Sequence, residues 1–339
     1  MATRRSVLRL MGGGVVVAAG SGAGCVALSG PSTSAREAWR EAGQETEFRR
    51  RALSYALLAP NPHNRQPWLV RLDGETALTL FCDLDRRLPE TDPFDRQITI
   101  GHGAFLELLR LAAAEQGYRA DITTFPEGAP GHRLDQRPVA QVAFTRENAM
   151  PDPLFAQVLA RRTNREVYKD QDVPAEALSA FVETGGAFGC TAGAIGNDAR
   201  AATLRDLTWS AHQVEAATPR THQESVDLMR LGAEEVKRHR DGIVLEGRMI
   251  ALGRAFGAVS RKTLADPNSS AFKQGLEMYE KKAMSARAFA WIETAGDTRD
   301  HQLAAGRAYM RLTLKATELG LAVHPWSQAL QEYAEMSDL

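Results

Sequence analysis

The chain has 339 residues, of which 44% are hydrophobic and 24% are charged, with 28 Gly and 15 Pro. This is the usage of a globular protein of about two domains, and it excludes a disordered, collagen-like or disulfide-rich small scaffold. The chain has 41 Lys and Arg residues and 42 Asp and Glu residues, a net charge of -1. The net charge therefore does not favour binding to nucleic acid or anionic lipid, and a local basic patch remains compatible with it. Cys25, Cys82 and Cys190 form no CxxC pair, which argues against a zinc knuckle or a disulfide framework.

The first 33 residues have the pattern of an export signal. Arg4 and Arg5 precede an apolar, glycine-rich run over residues 10–28, which predicts a twin-arginine signal at residues 1–33. An uncleaved N-terminal anchor is the alternative, but the glycines make this run too weakly hydrophobic for a good membrane span. Cys25 follows three small residues, as in a lipoprotein cleavage box that lacks its usual aliphatic residue. We therefore expect export by the twin-arginine machinery to the periplasm or cell envelope, with a lipid anchor at Cys25 as an option.

Residues 34–148 are predicted to form the first half of the folded chain. Pro60 and Pro62 end an initial helix, because proline lacks a backbone donor and restricts the residue before it. Two apolar strands separated by Asp73-Gly74-Glu75 indicate a β-hairpin, and apolar residues at helical spacing indicate a buried helix after it. The predicted elements are a helix over 35–58, strands over 68–72 and 77–82, a helix over 98–117 and a strand over 139–144.

Residues 149–339 are predicted to form the second half. A proline at residue 174 suits the first turn of a helix, and Gly320 is typical of a helix end. A mostly polar and helical stretch interrupts this half and is interpreted as a lid inserted over about residues 201–284. The predicted elements are helices over 152–161 and 174–181, the helical stretch over 197–284, a strand over 288–294 and a helix over 302–319.

Two helices of the chain share one pattern. At an offset of 203, Gly103, Leu109, Leu111, Ala113, Glu115 and Gly117 match Gly306, Leu312, Leu314, Ala316, Glu318 and Gly320. This indicates two related halves around a pseudo-two-fold axis, with paired central helices and the shape of a fused dimer. The alternative is that two buried helices converge on Gly, Leu and Ala by composition alone.

The segment from Pro60 to Trp68 carries the densest signal of a binding loop. Its prolines fix the backbone, while the amides of Asn64 and Gln66 can both donate and accept hydrogen bonds. Such a rigid loop can recognise the edge of a flat heterocycle with alternating N–H and C=O groups. A helix cap followed by an ordinary turn is the alternative interpretation.

The run Arg161-Arg162-Thr163-Asn164-Arg165 is a second candidate site. Adjacent guanidiniums offer planar, bidentate donors and the threonine hydroxyl adds another, which suits a phosphate. The alternative is a solvated basic helix end, since arginines are favoured there by the helix dipole.

These two segments resemble motifs of the nitroreductase superfamily. Its members share an Ala-Pro-Ser-Ser-x-Asn-x-Gln-Pro-Trp loop and an Arg-Arg-Ser-x-Arg segment, both of which contact FMN. The sequence is similar to the exported, single-chain Acg-type branch, in which two such halves are fused and the Arg-Arg-Thr-Asn-Arg run recurs. The match covers nearly all of the chain after the signal. It implies an α+β, nitroreductase-like fold in which the two halves form an internal pseudo-dimer, an arrangement compatible with a monomer, and it leaves the oligomeric state unassigned.

The resemblance also implies residue roles. Arg165 is the catalytic candidate, near the ribityl chain and the N1/O2 side of the flavin, while Arg161 and Thr163 would hold the phosphate. The segment containing Ser327 and Gln328 would reach flavin N5. The implied FMN-binding residues are Pro60, Asn61, Pro62, His63, Asn64, Gln66, Arg161, Arg162, Thr163, Asn164, Arg165, Pro325, Ser327 and Gln328.

Three departures from the family pattern matter. Pro62 stands where the family often has a hydroxyl, and Ser327 stands where many members carry a carboxylate near N5. The chain stops at Leu339, whereas relatives continue into a strand with basic residues near the phosphate, so that support is missing or the sequence is truncated. The segment Asp241-Gly242-Ile243 also resembles the branch, but the sequence assigns it no chemical role.

The implied function is an FMN-dependent oxidoreductase. Hydride from NAD(P)H would reach flavin N5 and pass to a flat, electron-poor acceptor such as a nitroaromatic or a quinone. Because free NAD(P)H is scarce outside the cytoplasm, the alternative is an exported protein that holds flavin with little or no turnover. A metal-dependent or serine hydrolase is disfavoured, since HExxH and GxSxG are absent from the sequence and no metal ligand is assigned. The substrate and the physiological electron donor stay unassigned.

Overall fold

The computed structural model describes residues 36–339, so the predicted export signal and Cys25 lie outside the described residues. The described chain begins with two helices, α1 (Glu37–Glu41) and α2 (Phe48–Ala56). The single helix predicted over 35–58 is therefore wrong. Gly43 separates the two helices with a left-handed φ of 82°, and a Cβ there would lie 2.2 Å from Tyr55 Oη.

A four-stranded antiparallel sheet follows, formed by β1 (Trp68–Asp73), β2 (Ala77–Cys82), β3 (Tyr118–Thr124) and β4 (Ala140–Arg146). The strand order is β1-β2-β4-β3. The predicted hairpin is confirmed, with Trp68 opposite Cys82. Leu72, Leu78, Val142 and Ile122 lie opposite one another across the four strands. Leu78 and Val142 belong to the buried apolar core of this half, and the other two pack against it. The strand β3 was not predicted, since its residues alternate without a strong apolar run.

Two long helices, α3 (Arg96–Ala114) and α11 (Arg299–Glu318), pack against each other at the centre. Both were predicted from their apolar spacing. The carboxylate of Asp92 caps α3 by accepting hydrogen bonds from Gln97 N at 3.0 Å and Ile98 N at 2.9 Å. A capping box between Thr298 and His301 starts α11. The two helices cross where Gly103 of α3 lies against Gly306 of α11.

Outside the insertion described below, the second half contributes one pair of strands. A helix, α4 (Ala175–Gly185), precedes β5 (Thr191–Ile195), which pairs antiparallel with β8 (Phe289–Glu293). The helix predicted over 152–161 is wrong, because the chain forms only a short 3-10 turn at Pro153–Gln157. The residues after this turn leave the helical path and pair with the segment that follows α11.

The chain between β5 and β8 forms a large insertion. It contains six helices and a short parallel strand pair, β6 with β7, which the sequence did not predict because each strand has three residues. In chain order the insertion comprises α5 (Ala199–Ala217), α6 (Pro219–Asp227), β6 (Met229–Leu231), α7 (Ala233–Arg238), β7 (Ile243–Leu245), α8 (Arg248–Ala255), α9 (Arg261–Ala265) and α10 (Ser270–Met284).

Helix α11 contributes to two apolar cores. Leu303 and Leu314 belong to the core of the first half, whereas Leu312 and Ala316 pack with Phe181 of α4 in a second, smaller core. The helix therefore connects the two halves by burying apolar surface on two of its sides. Among residues 36–339 we find no helix with the length and apolar character needed to cross a membrane.

Candidate functional site

A cavity of about 1820 Å³ lies between the two halves and the insertion. Pockets for one small ligand usually measure about 300–1,000 Å³, so this cavity has room for more than one small molecule. All fourteen residues that the sequence singled out line it: Pro60, Asn61, Pro62, His63, Asn64, Gln66, Arg161, Arg162, Thr163, Asn164, Arg165, Pro325, Ser327 and Gln328. The structure thus brings together three segments that are far apart in the chain.

The loop from Pro60 to Gln66 has a constrained backbone. His63, Asn64 and Gln66 all adopt positive φ, at 48°, 51° and 51°, which is uncommon for residues other than glycine. The Asn61 side chain holds the loop together, because its Oδ1 accepts a hydrogen bond from Gln66 N at 2.8 Å and its Nδ2 donates to Ala59 O at 3.1 Å. Backbone strain of this kind is typical of functional loops.

The amides of Asn64 and Gln66 bind the insertion. Asn64 Nδ2 donates to the carbonyl oxygen of Gly242 at 3.3 Å, and Gln66 Nε2 donates to that of Arg240 at 2.8 Å. Gly242 N in turn donates to Asn64 O at 3.0 Å. These donors therefore have protein partners, whereas the sequence had suggested that both amides recognise the edge of a heterocycle.

Asp241 explains why this segment of the insertion docks on the loop. Its carboxylate forms ion pairs with Arg65 of the loop and, at 3.0 Å, with Arg230 of β6. Burial alone would raise the pKa of Asp241, but the hydrogen bond and charge of Arg230, together with the charge of Arg65, lower it overall. The sequence had left the Asp241 segment without a role, and the structure shows that it fastens the insertion to the loop.

Arg161 is a buried cation without an acidic partner. Its side chain is only 5% exposed, and one guanidinium nitrogen donates to Leu58 O at 3.2 Å. Within residues 36–339 it forms no ion pair with a carboxylate, and burial lowers its pKa. A buried charge is costly unless an opposite charge compensates it, so this position is suited to an anionic ligand.

The neighbours of Arg161 hold the arginine run in place. Arg162 lies over the ring of Trp39, 4.9 Å from its centroid, and donates to Leu159 O at 2.7 Å. Thr163 forms a parallel bridge with Val323, and Asn164 N donates to Val323 O at 2.8 Å. The arginine run and the segment after α11 are therefore paired by their backbones.

Arg165 carries a positive charge at the cavity. Its side chain is exposed, and within the described part of the chain it forms no ion pair. Burial, followed by the charge of Arg165, lowers the pKa of His63 to about 4. Burial also lowers the pKa of His324 to about 4, partly opposed by its hydrogen bond to Asn164 O and again assisted by Arg165. The site thus combines neutral imidazoles with free guanidinium charge.

Unpartnered buried polar atoms cluster around the cavity. Ten buried side-chain nitrogen or oxygen atoms in the described residues have no hydrogen-bond partner. Seven of them belong to residues that line the cavity: Trp39 Nε1, His63 Nδ1, His212 Nδ1, Glu215 Oε2, Trp326 Nε1, Gln328 Oε1 and Gln331 Oε1. Because buried polar groups are nearly always hydrogen-bonded, this cluster is suited to a polar, multi-atom ligand.

The insertion also contacts the segment after α11 through aromatic rings. His212 of α5 stacks on Tyr279 of α10 at 3.8 Å, and Tyr279 meets the edge of Trp326 at 6.0 Å. His324 stacks on Trp326 at 4.5 Å. His212 lies outside the motifs that the sequence analysis identified, and the aromatic residues of the otherwise polar insertion are the signal that could have placed it here.

His102 and Cys82, which could in principle take part in catalysis, are packed in the protein interior. His102 is fully buried, and its ring nitrogens lie 2.9 Å from Ile98 O and 3.0 Å from Pro67 O. Burial raises the pKa of Cys82 to about 12, so its thiol is inert. Over residues 36–339 we find no group of three His, Cys, Asp or Glu side chains that could hold a metal ion.

Comparison with known proteins gives relatives over part of the chain. No family model matches. The chain is 32% identical over 130 residues to "Putative NAD(P)H nitroreductase Rv3131" of Mycobacterium tuberculosis, covering 38% of this chain and 37% of the relative. It is 38% identical over 81 residues to "Putative NAD(P)H nitroreductase acg" of the same organism, covering 24% of each chain.

A third relative has no activity in its name. The chain is 34% identical over 120 residues to "Uncharacterized protein Rv3127" of Mycobacterium tuberculosis, covering 34% of this chain and 33% of the relative. All three aligned segments therefore span well under half of the relatives' lengths. Together with the mixed α and β architecture, the two relatives named as nitroreductases support a relationship to the nitroreductase superfamily.

Proposed function

We propose that the protein is an FMN-binding oxidoreductase of the nitroreductase type, with NAD(P)H as the donor and a flat, electron-poor molecule as the acceptor. The observation that carries this proposal is that the two segments resembling flavin-contacting motifs line one cavity, where the buried Arg161 has no carboxylate partner. The names of two relatives support the nicotinamide donor and the oxidoreductase class.

The residues of the cavity fit FMN. Arg161 and Thr163 would bind the phosphate, with Arg162 and Asn164 holding the run in position, because guanidinium and hydroxyl donors match phosphate oxygens. Arg165 would approach the N1/O2 side of the ring, where its positive charge favours negative charge that develops on reduction. The remaining polar and planar surface would come from Pro60, Asn61, Pro62, His63, Asn64, Gln66, Pro325, Ser327 and Gln328.

Bound FMN would supply the redox chemistry, by accepting a hydride at N5 and passing it to the acceptor. The protein would orient the donor and acceptor against the same ring, for which a cavity of about 1820 Å³ leaves space. The charge of Arg165 would stabilise the reduced form, while the aromatic contacts of the insertion with Trp326 would limit the access of water.

We further propose that the two halves are related by an internal pseudo-two-fold axis, as in the Acg-type branch. Each half has a helix, two antiparallel strands and a long central helix in the same chain order. In the first half these are α2, β1, β2 and α3; in the second they are α4, β5, β8 and α11. The insertion then occupies the position of the first half's hairpin turn.

A flavin-holding protein with little turnover is the second candidate function. It is favoured by the contacts that fasten the insertion over the site, including the ion pair of Asp241 with Arg65 and the edge contact of Tyr279 with Trp326. If the insertion stays closed, bound flavin would be shielded from nicotinamide.

Anaerobic reduction separates these two functions. The FMN-loaded protein is mixed with NADPH or NADH, and the visible flavin absorbance is followed; dithionite serves as a control that the bound flavin can be reduced. Rapid bleaching by the nicotinamide, followed by reoxidation with a quinone or nitroaromatic, supports the oxidoreductase. Slow or absent bleaching by the nicotinamide, with full bleaching by dithionite, supports the flavin-holding function.

Export by the twin-arginine route stays a proposal, as does a lipid anchor at Cys25. The supporting feature is the pair Arg4 and Arg5 before a glycine-rich apolar run. Replacing both arginines with lysine should retain the protein in the cytoplasm of a twin-arginine-competent host, whereas unchanged fractionation to the periplasm or envelope would contradict the proposal.

A further inference from the structure

Two residues of the insertion and one residue of the first-half loop form a continuous hydrogen-bonded series at the cavity. The carboxylate Oε1 of Glu215 in α5 lies 3.2 Å from Ser225 Oγ in α6. Ser225 Oγ lies 3.0 Å from Nε2 of His63 in the first-half loop. All three residues line the cavity, and His63 Nδ1 has no hydrogen-bond partner among the described residues.

Glu215 is a buried carboxyl group without a positively charged partner. It is only 7% exposed, and no guanidinium or ammonium group within residues 36–339 pairs with it. Burial raises its pKa to about 7, although its hydrogen bond with Ser225 and the neighbouring amides of Gln331 and Gln328 act to lower it, and the charge of Glu224 raises it further. The phenols of Tyr333 and Tyr279 are also near it: burial is the main cause that raises the pKa of both, and the charge of Glu215 adds to it. The group can therefore change its protonation near neutral pH.

His63 by contrast stays neutral at that pH. Burial and the charges of Arg165 and Arg65 hold the pKa of His63 at about 4. A neutral imidazole has one donating and one accepting nitrogen, and the partner of one nitrogen determines the role of the other.

The protonation of Glu215 therefore sets the direction of the whole series. When Glu215 is a carboxylate, Ser225 donates to it and accepts from His63 Nε2–H, which leaves a lone pair on Nδ1. When Glu215 is protonated, it donates to Ser225, whose hydroxyl then donates to Nε2, and the imidazole proton lies on Nδ1. Nδ1 changes from an acceptor to a donor without His63 becoming charged.

We propose that Glu215 is a positioning residue that acts through Ser225 to select the tautomer of His63, and that His63 Nδ1 gives a proton to the molecule reduced in the cavity. This inference rests on the proposed oxidoreductase function. An acceptor that takes a hydride from the reduced cofactor carries one new negative charge, which a proton neutralises. The N–H bond at Nδ1 breaks as that proton leaves, the Ser225 hydroxyl proton moves to Nε2, and the Glu215 carboxyl proton moves to Ser225. Glu215 is left as a carboxylate and regains a proton from solvent.

The tautomer of His63 can be measured directly. The full-length purified protein is labelled with ¹⁵N-histidine, and the ring nitrogens of His63 are assigned by the loss of their signals in His63→Gln. We expect the protonated nitrogen to change from Nδ1 to Nε2 between about pH 6 and pH 8. A tautomer that does not change over this range would overturn the proposal.

Matched variants test the role of each member. Glu215→Gln cannot titrate, so the pH response of the His63 tautomer should be lost, and Ser225→Ala should uncouple His63 from Glu215 with the same loss. Glu280→Gln, an exposed carboxylate of the same insertion, should keep the response. A normal pH response in Glu215→Gln, with native circular dichroism, would also contradict the proposal. These readouts do not need flavin, so they separate this inference from the proposed function, whose failure would appear as a lack of FMN uptake.

Discussion

Gly103 of α3 and Gly306 of α11 face each other at the crossing of the two central helices. At each position the backbone of the opposing helix leaves no room for a side chain. A Cβ at Gly103 would lie 2.2 Å from Leu303 O, and one at Gly306 would lie 1.9 Å from Ile100 O. The contacts are reciprocal, because each carbonyl belongs to the residue three positions before the opposing glycine. Reciprocity of this kind is what a two-fold axis produces, and it accords with the proposed relationship between the halves.

We expect Gly103→Ala to destabilise the protein by about 3 kcal/mol, since the methyl group must push the backbone of α11 away. Gly275→Ala is a matched control, because Gly275 lies in helix α10 and a Cβ there meets no atom within 4 Å. Alanine at that position should stabilise by up to about 1 kcal/mol through helix propensity. Urea denaturation measures both, and equal effects of the two substitutions would contradict close contact at the crossing.

We expect Asp241→Asn to lower the free energy of unfolding by about 3 kcal/mol. The substitution leaves the guanidiniums of Arg65 and Arg230 buried without their counter-charge, which is costly when both partners are largely desolvated. Asp121→Asn is the control, because Asp121 pairs with Arg119 on the surface, where both side chains are 51% exposed. That change should cost less than about 1 kcal/mol. Similar losses in the two variants, measured by denaturant titration, would show that Asp241 does not fasten the insertion.

Glu215→Gln should change the pH dependence of stability. Burial raises the pKa of Glu215 from 4.5 to about 7, so the folded state retains a proton that the unfolded chain releases, and stability falls as pH rises through this window. The loss amounts to about 3 kcal/mol between pH 4.5 and pH 8, and glutamine does not incur it. The variant should therefore gain stability relative to the parent as pH rises. A difference in unfolding free energy that is the same at both pH values would contradict a raised pKa.

Arg161→Ala should weaken FMN binding by about 10-fold to 100-fold, which corresponds to the roughly 1.5–3 kcal/mol of a charge-assisted hydrogen bond. Riboflavin lacks the phosphate, so its affinity should change little, and fluorescence titration with both flavins provides the comparison. An equal loss for FMN and riboflavin would mean that Arg161 supports the fold of the site rather than the phosphate.

Arg165→Ala should lower the affinity for FMN and shift the potential of the bound flavin downward, by about 30 mV or more for a two-electron couple. The reason is that the guanidinium charge favours the reduced, anionic ring. Arg119→Ala, on the surface of β3, serves as the control. Spectroscopic redox titration of the holo proteins measures the shift, and an unchanged potential in Arg165→Ala would count against its proposed position.

The parts of the fold that the sequence could predict are those with a strong repeating pattern. The hairpin of β1 and β2 and the buried helices α3 and α11 follow from apolar periodicity, which packing then reinforces. The break at Gly43 and the short turn at Pro153–Gln157 could not be predicted, because tertiary contacts override a weak local helical preference there.

The site shows the same division. The arginine run and the proline-rich loop are contiguous in sequence, so their chemistry can be recognised before the structure is known. Glu215 and Ser225 carry no motif, and His63 lies 162 residues from Ser225. Their hydrogen bonds form because the insertion packs over the first-half loop. This packing depends on contacts between residues far apart in the chain, which a local sequence pattern does not predict.

The central claim is that one FMN molecule binds in the cavity between the two halves, and titration of the purified, flavin-free protein with FMN tests it most directly. We expect saturable quenching of flavin fluorescence with one FMN per chain, and competition by excess riboflavin only at higher concentration. A folded protein that shows no uptake of FMN over the same concentration range would contradict the claim.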